Sequence, residues 1–228
     1  MICISIVPET NEEALCLLAR ALPEADLVEL RIDRIRLPDL PLLLHAGKAR
    51  ILVTNRRRDE GGFFASCENK RMALLHEAVG MGARYVDIEA RTGEAAVGRL
   101  GKAILAKKGK TKLIVSHHDL KGTPSRQTLA KRLKDCRALG ADIVKIVTLA
   151  NMVEDNLRVL ELIPQALETG QEIIAFCMGE KGRLSRVAAP LLGSCMSYAS
   201  LEDGAESAPG QLTAGEMKTI LGILQESS

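Results

Sequence analysis

The stretch "KLIVSHHDLKGTPSRQTLAKRLKDCRALGADIVKIVTLA" (residues 112–150) decides the fold. Its two ends, "KLIVSHHD" (112–119) and "DIVKIVTLA" (142–150), are short and rich in β-branched residues. Both are largely apolar on both faces, as strands of a parallel sheet are. Between them "SRQTLAKRLKDCRALGA" (125–141) places apolar residues at helical spacing and ends near a glycine.

This strand–helix–strand unit recurs along the chain. "ICISIV" (2–7), "DLVELRID" (26–33), "RILVTNR" (50–56), "YVDIEA" (85–90), "EIIAFCMG" (172–179) and "MSYASL" (196–201) read as the other strands. "TNEEALCLLARAL" reads as a helix with Thr10 or Asn11 as N-cap. "ENKRMALLHEAVGMGA", "MVEDNLRVLELIPQALETG" and "TAGEMKTILGILQ" are helical too; "DLPLLLHAG", "EAAVGRLGKAILAKKG" and "LSRVAAPLLG" have weaker helical patterns. Strand starts lie roughly 25–30 residues apart, the size of a βα unit. Eight units in 228 residues predict α/β architecture: a single (β/α)8 TIM barrel of eight parallel strands spanning residues 1–228. An open doubly wound sheet would normally carry a Gly-rich turn after its first strand, and "VPETNEEAL" has no glycine.

Composition narrows the function classes. The 31 basic and 29 acidic residues leave a net charge of +2, giving no electrostatic reason to expect nucleic acid or an anionic membrane. The chain has no Trp and few other aromatics, which argues against base-stacking platforms. No apolar run reaches the ~18 residues of a membrane helix, and the N-terminus lacks the pattern of a secretory signal. Cys3, Cys16, Cys67, Cys136, Cys177 and Cys195 are scattered, with no C-x-x-C pair. They read as reduced, core-filling thiols of a cytoplasmic protein. No metal-ligand pattern, Walker A motif or dinucleotide fingerprint occurs, so the expected chemistry needs no cofactor and no metal.

In this barrel, active sites form at the C-terminal ends of the strands. Those ends hold Ser5; Glu29, Arg31 and Asp33; Arg56 to Arg58 and Glu60; Asp87 and Glu89; His117 and His118; and Lys145. The last two strands run into "CMGEKGRLSR" and "SLEDGAESAPGQ". Each has an ordinary reading as an ion pair, a solvated loop or a core histidine; jointly they imply a convergent polar pocket. Lys145 sits among Ile143, Val144, Ile146 and Val147. Such surroundings disfavour the charged amine and favour a nucleophile that forms Schiff bases. The alternative is an ion pair with Glu29, Asp87 or Glu89. His118, on the adjacent strand, is suited to moving protons at neutral pH. Lysine plus histidine points to abstraction of a proton beside an iminium, followed by elimination, aldol chemistry or isomerisation. Arg31, Arg56 and Arg186 are candidates to grip a carboxylate bidentately.

The chain resembles the type I 3-dehydroquinate dehydratase family of the shikimate pathway. The resemblance rests on "ICISI", "ELRID", "TNRRRDEGG", "DIE", "SHHD", "VKI", "MGEKGRLSR" and "SAPGQ", in that order. It implies a lyase that dehydrates 3-dehydroquinate to 3-dehydroshikimate through a Schiff base on Lys145. His118 would be the general acid/base, with His117 pointing elsewhere, and Glu60 would orient His118. Ser5, Glu29, Arg31 and Arg56 would hold substrate polar groups, and Arg186, Ser207 and Gln211 its carboxylate and hydroxyls. "SAPGQ" would be a flexible lid. The resemblance also implies a small-molecule substrate, a homodimer and a stand-alone form with no shikimate dehydrogenase domain. Two departures, "SYAS" in the eighth strand and the doubled histidine of "SHHD", are expected to touch no catalytic position. A class I aldolase or transaldolase is the rival reading for a barrel lysine.

Overall fold

The computed structural model describes residues 1–47, 50–108 and 110–225. Its strands are β1 (Ile2–Ile6), β2 (Leu27–Arg31), β3 (Ile51–Thr54), β4 (Tyr85–Glu89), β5 (Lys112–Asp119), β6 (Ile143–Leu149), β7 (Glu172–Met178) and β8 (Ser197–Ala199). The helices between and after them are α1 (Asn11–Ala21), α2 (Leu40–Ala46), α3 (Glu68–Gly80), α4 (Glu94–Ala106), α5 (Arg126–Ala138), α6 (Asp155–Leu160), α7 (Leu162–Leu167), α8 (Arg183–Leu191) and α9 (Ala214–Gln225). The strands form one parallel sheet in the order β7-β6-β5-β4-β3-β2-β1-β8, a nearly closed (β/α)8 barrel. Among the described residues no ladder joins β7 to β8. That seam is held by single bonds, Cys195 N to Ile173 O (3.0 Å) and Ser194 Oγ to the same carbonyl (3.2 Å).

Every expected strand and helix is present, and Thr10 is the N-cap of α1, its side chain accepting from Glu13 N. One expected helix is two. Pro164 has no N–H to offer the Leu160 carbonyl, and the segment breaks at Glu161 into α6 and α7. The reading of all cysteines as core-filling is corrected: Cys3, Cys136 and Cys177 are buried, but Cys16 and Cys67 are exposed. Cys16 lies on the solvent face of amphipathic α1, and Cys67 precedes the first turn of α3.

Strand alternation creates two apolar layers. Val28, Val53, Val86, Val115, Val144 and Ile173 face the helices. Cys3, Leu27, Leu52, Tyr85, Ile114, Ile143, Ile174 and Met196 fill the barrel floor. Above that floor the inward positions turn polar, because every strand except β7, where Phe176 stands, carries an ionisable or hydroxyl side chain two residues further on. Among the described residues no helix is long and apolar enough to cross a membrane.

Candidate active site

The alternation of β6 splits the run around Lys145. Val144 and Ile146 pack outward against helices, while Lys145 points into the barrel. The expectation of an amine crowded by apolar neighbours is therefore corrected. Lys145 Nζ lies 3.3 Å from Glu29 Oε1, 3.1 Å from Asp87 Oδ2 and 3.0 Å from Tyr198 Oη. The ion-pair alternative is present, and the same 3 %-exposed lysine lines a cavity of about 220 Å³.

Both carboxylates are built to stay charged. Glu29 accepts from Ser5 Oγ at 2.5 Å and Thr54 Oγ1 at 2.9 Å. Burial pushes its pKa up, but Lys145, Arg56 and Arg31 more than offset this and hold it below the usual range. Asp87 takes both terminal nitrogens of Arg56, at 2.8 and 3.1 Å, and Ser116 Oγ at 2.5 Å. Despite burial, Arg56 and Lys145 hold it far below the carboxylate range.

His118 lines the same cavity, and its Nδ1 lies 3.0 Å from Glu60 Oε2. The backbone N–H of His118 donates to that oxygen at 2.8 Å. Burial, then the charges of Arg56 and Lys145, keep the His118 pKa well below normal, so the ring is neutral. Its contact with Glu60 is thus a hydrogen bond. With Nδ1–H given to a carboxylate, Nε2 keeps its lone pair. Burial pushes the Glu60 pKa up to about 7. The "EGG" sequence fixes this contact: Gly61 takes a left-handed φ of 86°, and a Cβ on Gly62 would come within 2.0 Å of the Arg56 carbonyl. His117 faces outward into a separate hollow with Arg91, Arg132 and Cys136, as alternation requires.

The three arginines differ. Arg31 is held bidentately by Asp33, at 2.6 and 2.8 Å, and Arg56 is engaged by Asp87, Glu89 and Ser116. Both line the cavity with the guanidinium already paired to a protein carboxylate, whereas a bidentate grip on a ligand carboxylate was expected of them. Arg186 differs: it is 0 % exposed, has no carboxylate partner among the described residues, and its Nε has no hydrogen bond. It lies 4.7 Å from the Phe176 ring centroid and reaches the carbonyls of Tyr198 (3.5 Å) and Pro209 (3.3 Å). Burial lowers its pKa to about 10.

Ser207 and Gln211 line the mouth, with Ser207 N donating to Gln211 Oε1 at 2.8 Å. Gly179 N donates to Pro209 O at 2.9 Å, and a Cβ on Gly210 would meet the Gly179 carbonyl at 2.2 Å. The "SAPGQ" loop is thereby docked over the cavity. Ser5 is the exception among the candidates: it does not line the cavity but lies beneath Glu29 and orients it.

The sequence did not single out Tyr198 or Arg71 as site residues, and offered Asp87 as a strand-end carboxylate and an ion-pair alternative for Lys145. The expectation that "SYAS" touches no catalytic position is corrected, because its tyrosine contacts Lys145. Asp87 had a signal, being two positions from Glu89 on one strand. Arg71 had none. It rises from α3 and donates to Glu89 Oε2 at 2.8 Å and to the Asn55 carbonyl at 2.7 Å.

The sequence and the fold have relatives among known proteins. The sequence matches the profile of the type I 3-dehydroquinase family over residues 2–228. It is 38 % identical over 219 residues to the 3-dehydroquinate dehydratase of Desulfotalea psychrophila, covering 96 % of each chain. It is 41 % identical over 201 residues to that of Thermococcus gammatolerans, covering 88 % of each. The crystal structure of 3-dehydroquinate dehydratase from Geobacillus kaustophilus superposes with a TM-score of 0.91 at 29 % identity, covering 100 % of this chain and 91 % of that one. A 3-hexulose-6-phosphate synthase, 16 % identical with a TM-score of 0.62, shares the barrel alone. A barrel with a lysine at mid-depth, a carboxylate-oriented histidine at its rim and a profile match from end to end leaves one assignment: this chain belongs to the type I 3-dehydroquinase family.

Proposed function

We propose that the chain dehydrates 3-dehydroquinate to 3-dehydroshikimate through a Schiff base on Lys145, the third step of the shikimate pathway. The observation that carries this reading is the shared cavity of Lys145, neutral His118 and the carboxylate-free Arg186. A buried guanidinium without a counter-ion favours an anionic ligand, because an unpaired buried charge is costly. Arg186 receives the substrate carboxylate, with Ser207 and Gln211 closing over it. Lys145 adds to the C3 ketone, and loss of water leaves an iminium. That electron sink acidifies C2, and Nε2 of His118 takes a C2 proton. The enamine expels the C1 hydroxyl, which leaves as water with the proton His118 gained. Hydrolysis then frees Lys145. Glu60 holds the histidine tautomer, while Ser5, Glu29, Arg31 and Arg56 organise the polar wall around the ring.

Borohydride trapping with 3-dehydroquinate, followed by peptide mass mapping, tests this. A reduced adduct on Lys145 is expected, absent in Lys145→Ala together with turnover. His118→Ala is expected to form the adduct yet turn over about 10²–10⁴-fold more slowly, the usual weight of general acid–base catalysis. No adduct on Lys145 would refute the mechanism. Cleavage of a phosphorylated sugar would favour the aldolase reading.

A further inference from the structure

Among the described residues, Tyr198 is the one polar neighbour of the reacting amine that has a proton to give. Nζ of Lys145 has three polar contacts among the described residues: Glu29, Asp87 and the Tyr198 hydroxyl. Both carboxylates are ionised at neutral pH. Tyr198 Oη accepts from Nζ at 3.0 Å, and among the described residues its own O–H has no protein acceptor. The residue is 3 % exposed and lines the cavity, so that hydrogen is available to a ligand there. The ring is held from two sides: its centroid is 5.7 Å from that of Phe176 and 4.1 Å from Nζ itself. Burial raises the phenol well above its usual range, so it stays protonated.

Resting on the Schiff-base reading above, we infer that Tyr198 relays a proton from Lys145 Nζ to the ketone oxygen during addition. The step balances. The ion-paired ammonium first gives one proton to solvent at the cavity mouth; the freed nitrogen lone pair then forms the Nζ–C3 bond, and the C=O π pair moves to oxygen. The adduct is then N⁺H₂–C–O⁻. One N–H proton passes to Tyr198 Oη while the phenol proton passes to the alkoxide, giving the neutral carbinolamine and regenerating the phenol. Direct transfer from nitrogen to oxygen would run through a strained four-membered ring; passing through the hydroxyl makes that ring six-membered. The carboxylates on either side of Nζ have no proton to deliver at this moment. The same relay, reversed, serves hydrolysis of the product iminium.

Tyr198→Phe keeps the ring, its packing on Phe176 and its contact with Nζ while removing only the hydroxyl. The test is single-turnover rapid quench into borohydride with 3-dehydroquinate, adduct being read by mass. The variant is expected to form the Lys145 adduct about 10²-fold more slowly, a typical acid–base contribution, with its unfolding midpoint and substrate affinity unchanged. In mixed H₂O/D₂O the native protein is expected to show a curved dependence of that rate, from two protons in flight, and the variant a linear one. Adduct formation at the native rate in Tyr198→Phe would overturn the relay, as would a linear dependence in the native protein. So would slowing by His118→Ala in place of Tyr198→Phe. A native chain that forms no adduct would instead sink the Schiff-base reading itself.

Discussion

His118 can act as a base only in one tautomer, and Glu60 is what selects it. The ionised carboxylate can only accept from Nδ1–H, whereas the protonated acid can donate to Nδ1 and select the other tautomer, and burial holds its pKa at about 7. The histidine itself is neutral at this pH, because burial and the charges of Arg56 and Lys145 hold it well below its ordinary value. Turnover is therefore expected to rise as pH passes through about 7, when Glu60 loses its proton. Glu60→Gln is expected to lower the maximum and flatten that limb, read from kcat against pH. An unchanged limb would assign it to another group. Much of this pair was legible: "SHHD" and "DEGG" placed both residues at strand ends, and alternation separated His118 from His117. Their ionisation was not legible, because it depends on burial and on charges brought in by other strands. Lys145 shows the same limit. Its strand neighbours suggested an apolar shell, but the period of two sends Val144 and Ile146 to the other face. What meets its amine comes from β2, β4 and β8.

At the scale of elements, α3 does more than cover the sheet. Its Arg71 is 2 % exposed and ties Glu89 of β4 to the Asn55 carbonyl after β3. Glu89 in turn accepts from Arg56 Nη1 at 2.8 Å and from Arg57 N at 3.0 Å, so one helix side chain braces the wall behind the cavity. Removing one partner of a buried ion pair costs about 3–5 kcal/mol when the other charge is stranded, and because Glu89 keeps Arg56 the cost here lies at the low end of that range. Arg71→Ala is expected to lose stability on that scale, seen as a lower urea midpoint with an unchanged slope. A change below about 0.5 kcal/mol, the usual range for surface substitutions, would show that water replaces the arginine. No pattern in "ENKRMALLHEAVG" separates this arginine from a solvated one. Only the tertiary position of Glu89 does so.

Over the whole molecule, charge is matched inside the barrel wall. The buried cations Lys145, Arg31, Arg56 and Arg71 face the buried carboxylates Glu29, Asp33, Asp87 and Glu89. Glu29, Asp33 and Asp87 have folded pKa values below their ordinary ones. The stability they contribute is thus present above the unfolded value of about 4 and lost as pH falls through the folded values. Chemical unfolding midpoints are expected to drop steeply below about pH 4. A midpoint insensitive to acid there would contradict the matched-charge arrangement. The barrel itself was the most legible feature, since eight short apolar strands at near-regular spacing admit few other closures. The missing ladder between β7 and β8 was not, because strand length alone does not reveal register. That seam runs through the site. Arg186 follows β7, Tyr198 sits on β8, and the Ser207–Gln211 loop follows β8. Lys145 and His118 stand on β6 and β5, inside an unbroken run of ladders. Parting the seam would leave Arg186, Lys145 and His118 on one continuous run of strands, and would carry Tyr198 and the Ser207–Gln211 loop away from them with β8.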